Sequence, residues 1–253
     1  MMQSKRGQTP SVTRRLTLTA VFAALAFAAM FVFRFNVTFL TFDLKDAVIT
    51  LSGLLLGPAT ALTVSLLVAV LEFITVGDTG WYGFLMNFAS SATFSVVCAE
   101  VYRYNKRLSG AILALVSGVV ALVAVMLTLN LVVTPLYQGV PRSVVVDMIP
   151  TLFLPFNAIK GTVNAALVLI LYKPVRQAMQ AAKLMPKSPA ADGADTPADK
   201  KNRILRSVCV TACGLLLLAV VLVLFVTLLH GDFSWVGEFT WFENLADLFG
   251  SRS

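Results

Sequence analysis

Charge is scarce in this sequence. Only 13% of its 253 residues are Asp, Glu, Lys or Arg, about half the share found in an ordinary soluble domain. Histidine occurs once, at His230, too isolated to suggest a metal centre or an imidazole acid–base pair. The three cysteines, Cys98, Cys209 and Cys213, lie in apolar stretches with neither metal-ligand spacing nor a disulfide framework, and they read as packing residues. There is no Walker A run and no Gly-rich nucleotide loop, so the chain shows no ATPase of its own. No Ser/His or Cys/His pair suits an intramembrane hydrolase. The expectation is a non-enzyme without cofactor or resident metal.

What fills the sequence is apolar. Hydrophobic residues make up 58%, and Phe alone occurs 18 times. They come in blocks of roughly 20 residues, the length that crosses a bilayer as helix. Barrel-type alternation is absent from the blocks, so the backbone must satisfy itself within helices. The fold class expected is an all-α integral membrane protein. The blocks run from about Leu16 to Phe33, Ala47 to Leu56, Ala59 to Val76, Trp81 to Val101, Gly110 to Val133 and Ile149 to Tyr172. Breaks fall at Gly57-Pro58, at Gly77-Asp78-Thr79-Gly80, before Thr134-Pro135 and before Lys173-Pro174, where missing amides and turn residues end helices. The division expected is a basic N-terminus at 1–15, a six-helix core at 16–174, a flexible polar linker at 175–203, a seventh helix at 204–229 and an acidic tail at 230–253.

The formal charge of +7 needs no nucleic acid to explain it. Lys5, Arg6, Arg14 and Arg15 precede the first block; Arg103, Lys106 and Arg107 separate the fourth and fifth; eight Lys or Arg residues between Lys173 and Arg206 separate the sixth and seventh. All three groups fall on one side if the second and third blocks cross separately, which makes that side cytoplasmic. The N-terminus is then inside the cell membrane and the C-terminus outside.

Several polar residues sit where lipid would be, and such residues face protein, cavity or partner. Asn157, Lys160 and Asn164 share one stripe of the sixth block. Asn87, Asn130 and Glu72 lie in other blocks. Amides offer donors and acceptors together, and lysine donates, so the stripe suits a neutral ring bearing imide and carbonyl groups. The alternative is that these groups only hold helices to one another. The run Thr41-Phe42-Asp43-Leu44-Lys45-Asp46 precedes a short helix, which Asp43 or Asp46 could cap. The alternative to a plain cap and turn is a lip over an external pocket, with Gly77, Asp78 and Thr79 on the same side. Phe42, Trp81 and Phe156 are available for stacking. Glu72 is placed away from the external mouth. In the first block Ala20, Ala24 and Ala28 recur at every fourth position, a spacing that lets another helix approach closely. No inverted repeat is visible, as a self-energised transporter would show.

The ordered segments Phe42-Asp43-Leu44-Lys45-Asp46, Gly57-Pro58, Gly77 to Gly83, Asn87-Phe88, Asn130 with Thr134-Pro135-Leu136-Tyr137, and Pro155-Phe156-Asn157 through Lys160 and Asn164 to Tyr172-Lys173-Pro174 are similar to a known set. The region from about Leu16 to Pro174 resembles the substrate-binding S component of an energy-coupling factor vitamin transporter, of the riboflavin-binding type. The resemblance implies a six-helix bundle around an outward-facing flavin pocket capped by the first loop. It implies ring contacts from Asn130, Asn157 and Lys160, with Thr41 and the Gly77–Gly80 turn lining the rest. It also implies that the alanines of the first helix dock a transmembrane coupling subunit joined to two ATP-hydrolysing subunits. The seventh helix departs from that pattern. Other readings are an S component for another small vitamin, an assembly protein whose polar groups only join helices, and a membrane-embedded enzyme using Asp43, Asp46 or Glu72.

Overall fold

A computed structural model of the chain describes residues 12–37, 39–77 and 79–185. The expected seventh helix, the acidic tail and Asp78 lie outside the described residues. Helix α1 spans Val12–Val32 and leads into a hairpin of β1 (Phe35–Val37) and β2 (Leu40–Phe42), then α2 (Lys45–Leu56), α3 (Pro58–Thr75), α4 (Gly80–Tyr104) and α5 (Leu108–Gln138). The last rod is continuous from Arg142 to Ala181. It comprises α6 (Arg142–Met148), a π turn at Ile149–Phe153 and α7 (Leu154–Ala181). Five of these rods are long and apolar enough to span a membrane.

The sixth rod, α2, has only 12 residues. At 1.5 Å per residue it covers about 18 Å of a hydrocarbon layer about 30 Å thick. It lies in the middle of the bundle, packed against α1, α3, α4 and α7, and is buried over most of its length. Gly57, with φ 108°, adopts a backbone that side chains disfavour; Pro58 starts α3 immediately after it, where a missing amide costs nothing. Separate second and third helices are therefore present as the sequence suggested. At Gly53 an added Cβ would lie 2.8 Å from Ala61 Cβ and 2.9 Å from Ala99 Cβ. Bare backbone there brings α2, α3 and α4 together.

Two expected helix ends are corrected. Helix α5 continues through Pro135 to Gln138 and ends where Gly139 turns left-handed, its amide donating to Pro135 O at 3.0 Å. Helix α7 continues through Pro174 to Ala181, so the polar stretch assigned to a linker from 175 begins as helix. The proline removes one bond, but the turns beyond it pack. Met179 is buried, Met185 lies against the same core, and Arg14 of α1 donates to Lys183 O. The first loop is likewise more ordered than a polar lip. Its strands pair Phe35 with Phe42, Asn36 with Thr41 and Val37 with Leu40.

Candidate functional site

The hairpin lies over the ends of α5 and α7 and is fixed there by aromatic contacts. Phe42 stacks on Phe35 at 4.7 Å and meets Phe156 edge-on at 6.3 Å, while Phe39 reaches Phe153 at 6.0 Å. Beneath it is a cavity of two adjoining lobes that share Phe39, Thr41, Thr79, Gly83, Asn87 and Tyr137. The first lobe runs between α4, α5 and α7 and carries Asn130, Asn157 and Lys160 with Phe156 and Met126. The second reaches α3 and carries Arg34, Asn36, Glu72 and Gly77.

The amides of the first lobe are held by their own helices. Asn130 Nδ2 donates to Met126 O at 2.7 Å, and its Oδ1 accepts from Thr134 Oγ1 at 2.9 Å. Asn157 Nδ2 donates to Phe153 O at 2.8 Å. Phe153 is the last residue of the π turn, which the Leu154 amide closes by donating to Ile149 O, an irregularity that recurs at functional sites. Each Nδ2 keeps a second proton, and each carbonyl oxygen keeps acceptor capacity. Lys160 Nζ is 3.1 Å from Asp43 Oδ2 and 3.5 Å from Thr41 O, so it links the cavity wall to the hairpin.

Below the cavity is a buried cluster of five ionisable groups. Lys45 Nζ lies 3.0 Å from Asp43 Oδ2 and 2.7 Å from Glu72 Oε2; Lys160 Nζ lies 3.1 Å from Asp43 and 3.8 Å from Asp46 Oδ2. Ser91 donates to Asp46. Burial alone would raise the Asp43 carboxyl, but the neighbouring charges of Lys160 and Lys45 outweigh it and hold the group well below its ordinary range. Removing one partner from such a cluster leaves a buried charge uncompensated.

The stripe read from the sequence divides by depth. Asn157 lines the cavity, Lys160 serves cavity and cluster, and Asn164 is fully buried below both. Asn164 Oδ1 accepts the Ala47 amide of α2 at 2.8 Å, and its Nδ2 donates to Asp43 O at 3.2 Å. It therefore caps α2 from another helix, beside the cap expected from Asp43, and it is absent from the cavity wall. The cap residue by position, Leu44, makes no side-chain cap bond; Asp43 Oδ1 accepts the first amide of α2, Lys45 N, at 3.3 Å. Asp43 and Phe42 also stand behind the wall, the first binding both lysines and the second backing Phe156. Thr41, Gly77, Thr79 and Asn87 line the cavity. Trp81 is 71% exposed and packs on Phe73 and Phe84. Ala20, Ala24 and Ala28 lie on an exposed face of α1.

Glu72 requires a correction. It lines the cavity because α3 ends at Thr75, less than one turn beyond it, at the hairpin end of the bundle. Tyr137, from the segment Thr134 to Tyr137 named in the sequence, lines the cavity, and Arg34, Tyr82 and Ser90 do so without having been singled out. Arg34 had a signal, a lone charge closing an apolar block.

Residues 14–172 match the family described as ECF transporter, substrate-specific component. Over 184 residues the chain is 26% identical to the riboflavin transporter RibU of Staphylococcus aureus (strain TCH60), covering 68% of this chain and 95% of that protein. A solved structure of the S component of a bacterial ECF transporter superimposes with a TM-score of 0.57 at 24% identity, covering 66% of this chain and 98% of that one. That likeness is one of fold.

Proposed function

The chain belongs to the ECF transporter substrate-specific components, and on that premise we propose that it captures riboflavin outside the cell for an ATP-driven importer. The observation that carries the reading is the convergence of Asn130, Asn157 and Lys160 on one lobe with Phe156. An isoalloxazine edge presents carbonyl, imide N–H and carbonyl in a row. Two amides that each retain a donor and an acceptor complement that row, and the lysine donates to an oxygen. Phe156 and Met126 supply the apolar surface a ring needs. The similarity to a riboflavin transporter at 26% identity supports the same substrate.

The remaining parts follow from this reading. The hairpin covers the external mouth, with Thr41, Gly77 and Thr79 around it. The exposed alanines of α1 meet a transmembrane coupling subunit, and two ATP-binding subunits supply the energy. The N-terminus lies in the cytoplasm of a multi-pass cell-membrane protein, and the seventh helix carries the C-terminus outside.

The test is to purify the chain and record its absorbance. A copurifying flavin colours the protein yellow, and titration of ligand-free protein quenches riboflavin fluorescence. Copurification of another vitamin would redirect the substrate, and absence of riboflavin binding on titration would refute it.

A further inference from the structure

The described chain ends beside α1. Lys183 takes a left-handed backbone with φ 56°, and the Leu184 amide returns to Met179 O at 2.8 Å, a pattern that closes a helix and turns the chain off its axis. Arg14 of α1 donates to Lys183 O, and Met185 lies against the core. The chain therefore leaves the bundle at the N-terminal end of α1. That helix packs on α2 and α3 and leaves Ala20, Val21, Ala24, Leu25 and Ala28 as an exposed apolar strip.

The next apolar block, 204–229, is tethered close to that strip. The 18 residues from 186 to 203 span roughly 20–25 Å as a flexible chain, enough to reach the flank of α1 and short enough to keep the block concentrated there. In sequence the block carries Ser207, Thr211 and Gly214, a spacing that shares one face of a helix. Its depth matches α1. Ala20 stands five residues after Arg15 and Thr211 five after Arg206; Ala24 stands nine after Arg15 and Gly214 eight after Arg206. Arginines hold helix ends at the membrane interface. Two helices entering in the same direction, as in the topology proposed above, would thus set small residues against small residues, which permits close approach in lipid. We propose that the chain's own segment 204–229 packs on the exposed face of α1, with Ser207, Thr211 and Gly214 against Ala20, Ala24 and Ala28. On the docking reading above, the coupling subunit uses the same face, so the segment guards it and is displaced on assembly.

The test is disulfide trapping in the full chain, with Cys209→Ser and Cys213→Ser, the buried Cys98 left in place, and a protease site within 186–203. Ala20→Cys with Thr211→Cys is expected to close on oxidation, so that the two fragments stay joined on a gel after cleavage and separate with reductant. Leu113→Cys, on an exposed face of α5, paired with Thr211→Cys is expected to leave them separate. Separate fragments in the first pair, or equal joining in both, would overturn the packing. A disulfide between two chains, seen as doubled mass before cleavage, would give the face to a second copy and overturn it as well. The locked chain is expected to lose association with the coupling subunit in membranes and to regain it on reduction. Equal association of locked and reduced chains would overturn the guarding role. A reduced chain that never associates would remove the docking reading, and the guarding role with it, while the trapped pair still establishes the packing; the trapping itself is read without any substrate.

Discussion

Replacing Asn157 by alanine separates recognition from folding better than any other change at the ring lobe. The side chain is buried, and one of its amide protons is spent on Phe153 O at 2.8 Å within its own helix. Its other proton and its Oδ1 make no bond among the described residues, so the substitution removes no hydrogen bond between helices. The cost to stability is that of one local bond, roughly 0.5–1.5 kcal/mol. For the ligand, a buried amide or carbonyl loses its partner at a cost of about 1–3 kcal/mol, which is roughly a 5- to 150-fold loss of riboflavin affinity. Lys160→Ala is expected to lose affinity in the same range and to melt earlier as well, because Asp43 and Asp46 both face that ammonium. The assay is quenching of riboflavin fluorescence with monodisperse protein, paired with thermal unfolding of the same samples. Wild-type affinity in both variants would refute the ring assignment, even in a protein that binds riboflavin.

Four further outcomes are expected. Lys45→Met removes the cation between Asp43 and Glu72 and costs on the order of 3–5 kcal/mol; an unchanged melting temperature would show that the cluster is not held by charge. Gly53→Ala drives a methyl against Ala61 and Ala99 and costs about 1–3 kcal/mol by overpacking, which thermal unfolding in detergent would register. Ala20→Trp or Ala24→Trp, on the exposed face of α1, is expected to abolish uptake in cells while the purified chain still binds riboflavin; lost binding with normal partner association would reverse the docking assignment. A tag after Arg107 or within 178–201 is expected to be labelled only from the cytoplasm and one after Ser253 only from outside; a cytoplasmic terminal tag would show that block 204–229 does not cross.

The helices were legible because a bilayer admits few alternatives: apolar length sets their number, and Gly57-Pro58 marks where α2 gives way to α3. Their ends were less so. Pro135 and Pro174 look like terminators from local chemistry, yet the turn beyond Pro174 is repaid by contacts with α1, a segment more than 150 residues away in sequence. The polar stripe was visible, but not its division of labour. From Asn157 to Asn164 the helix descends about 10 Å, which carries the last residue from the cavity to the start of α2. The partnership of Lys45 with Glu72, 27 positions apart, has no local signature, and Glu72 was misplaced for that reason. Arg34 shows the limit from the other side: a single charge at a helix end looks like a boundary marker until the cavity beside it is known.

Asn164 has a consequence for how this protein can diversify. One amide accepts from α2 and donates to the chain just before it, and few side chains offer both functions at that length. Aspartate keeps the acceptor without the donor, glutamine keeps both at the wrong reach, and leucine keeps neither. The position is thus committed to architecture, whereas Asn130 and Asn157, one level above, bond only within their own helices and line the cavity. A library that randomises Asn130 on α5 and Asn157 on α7 while fixing Asn164 and Phe156 is expected to change what the cavity accepts without disturbing the contacts that hold α2 and the hairpin.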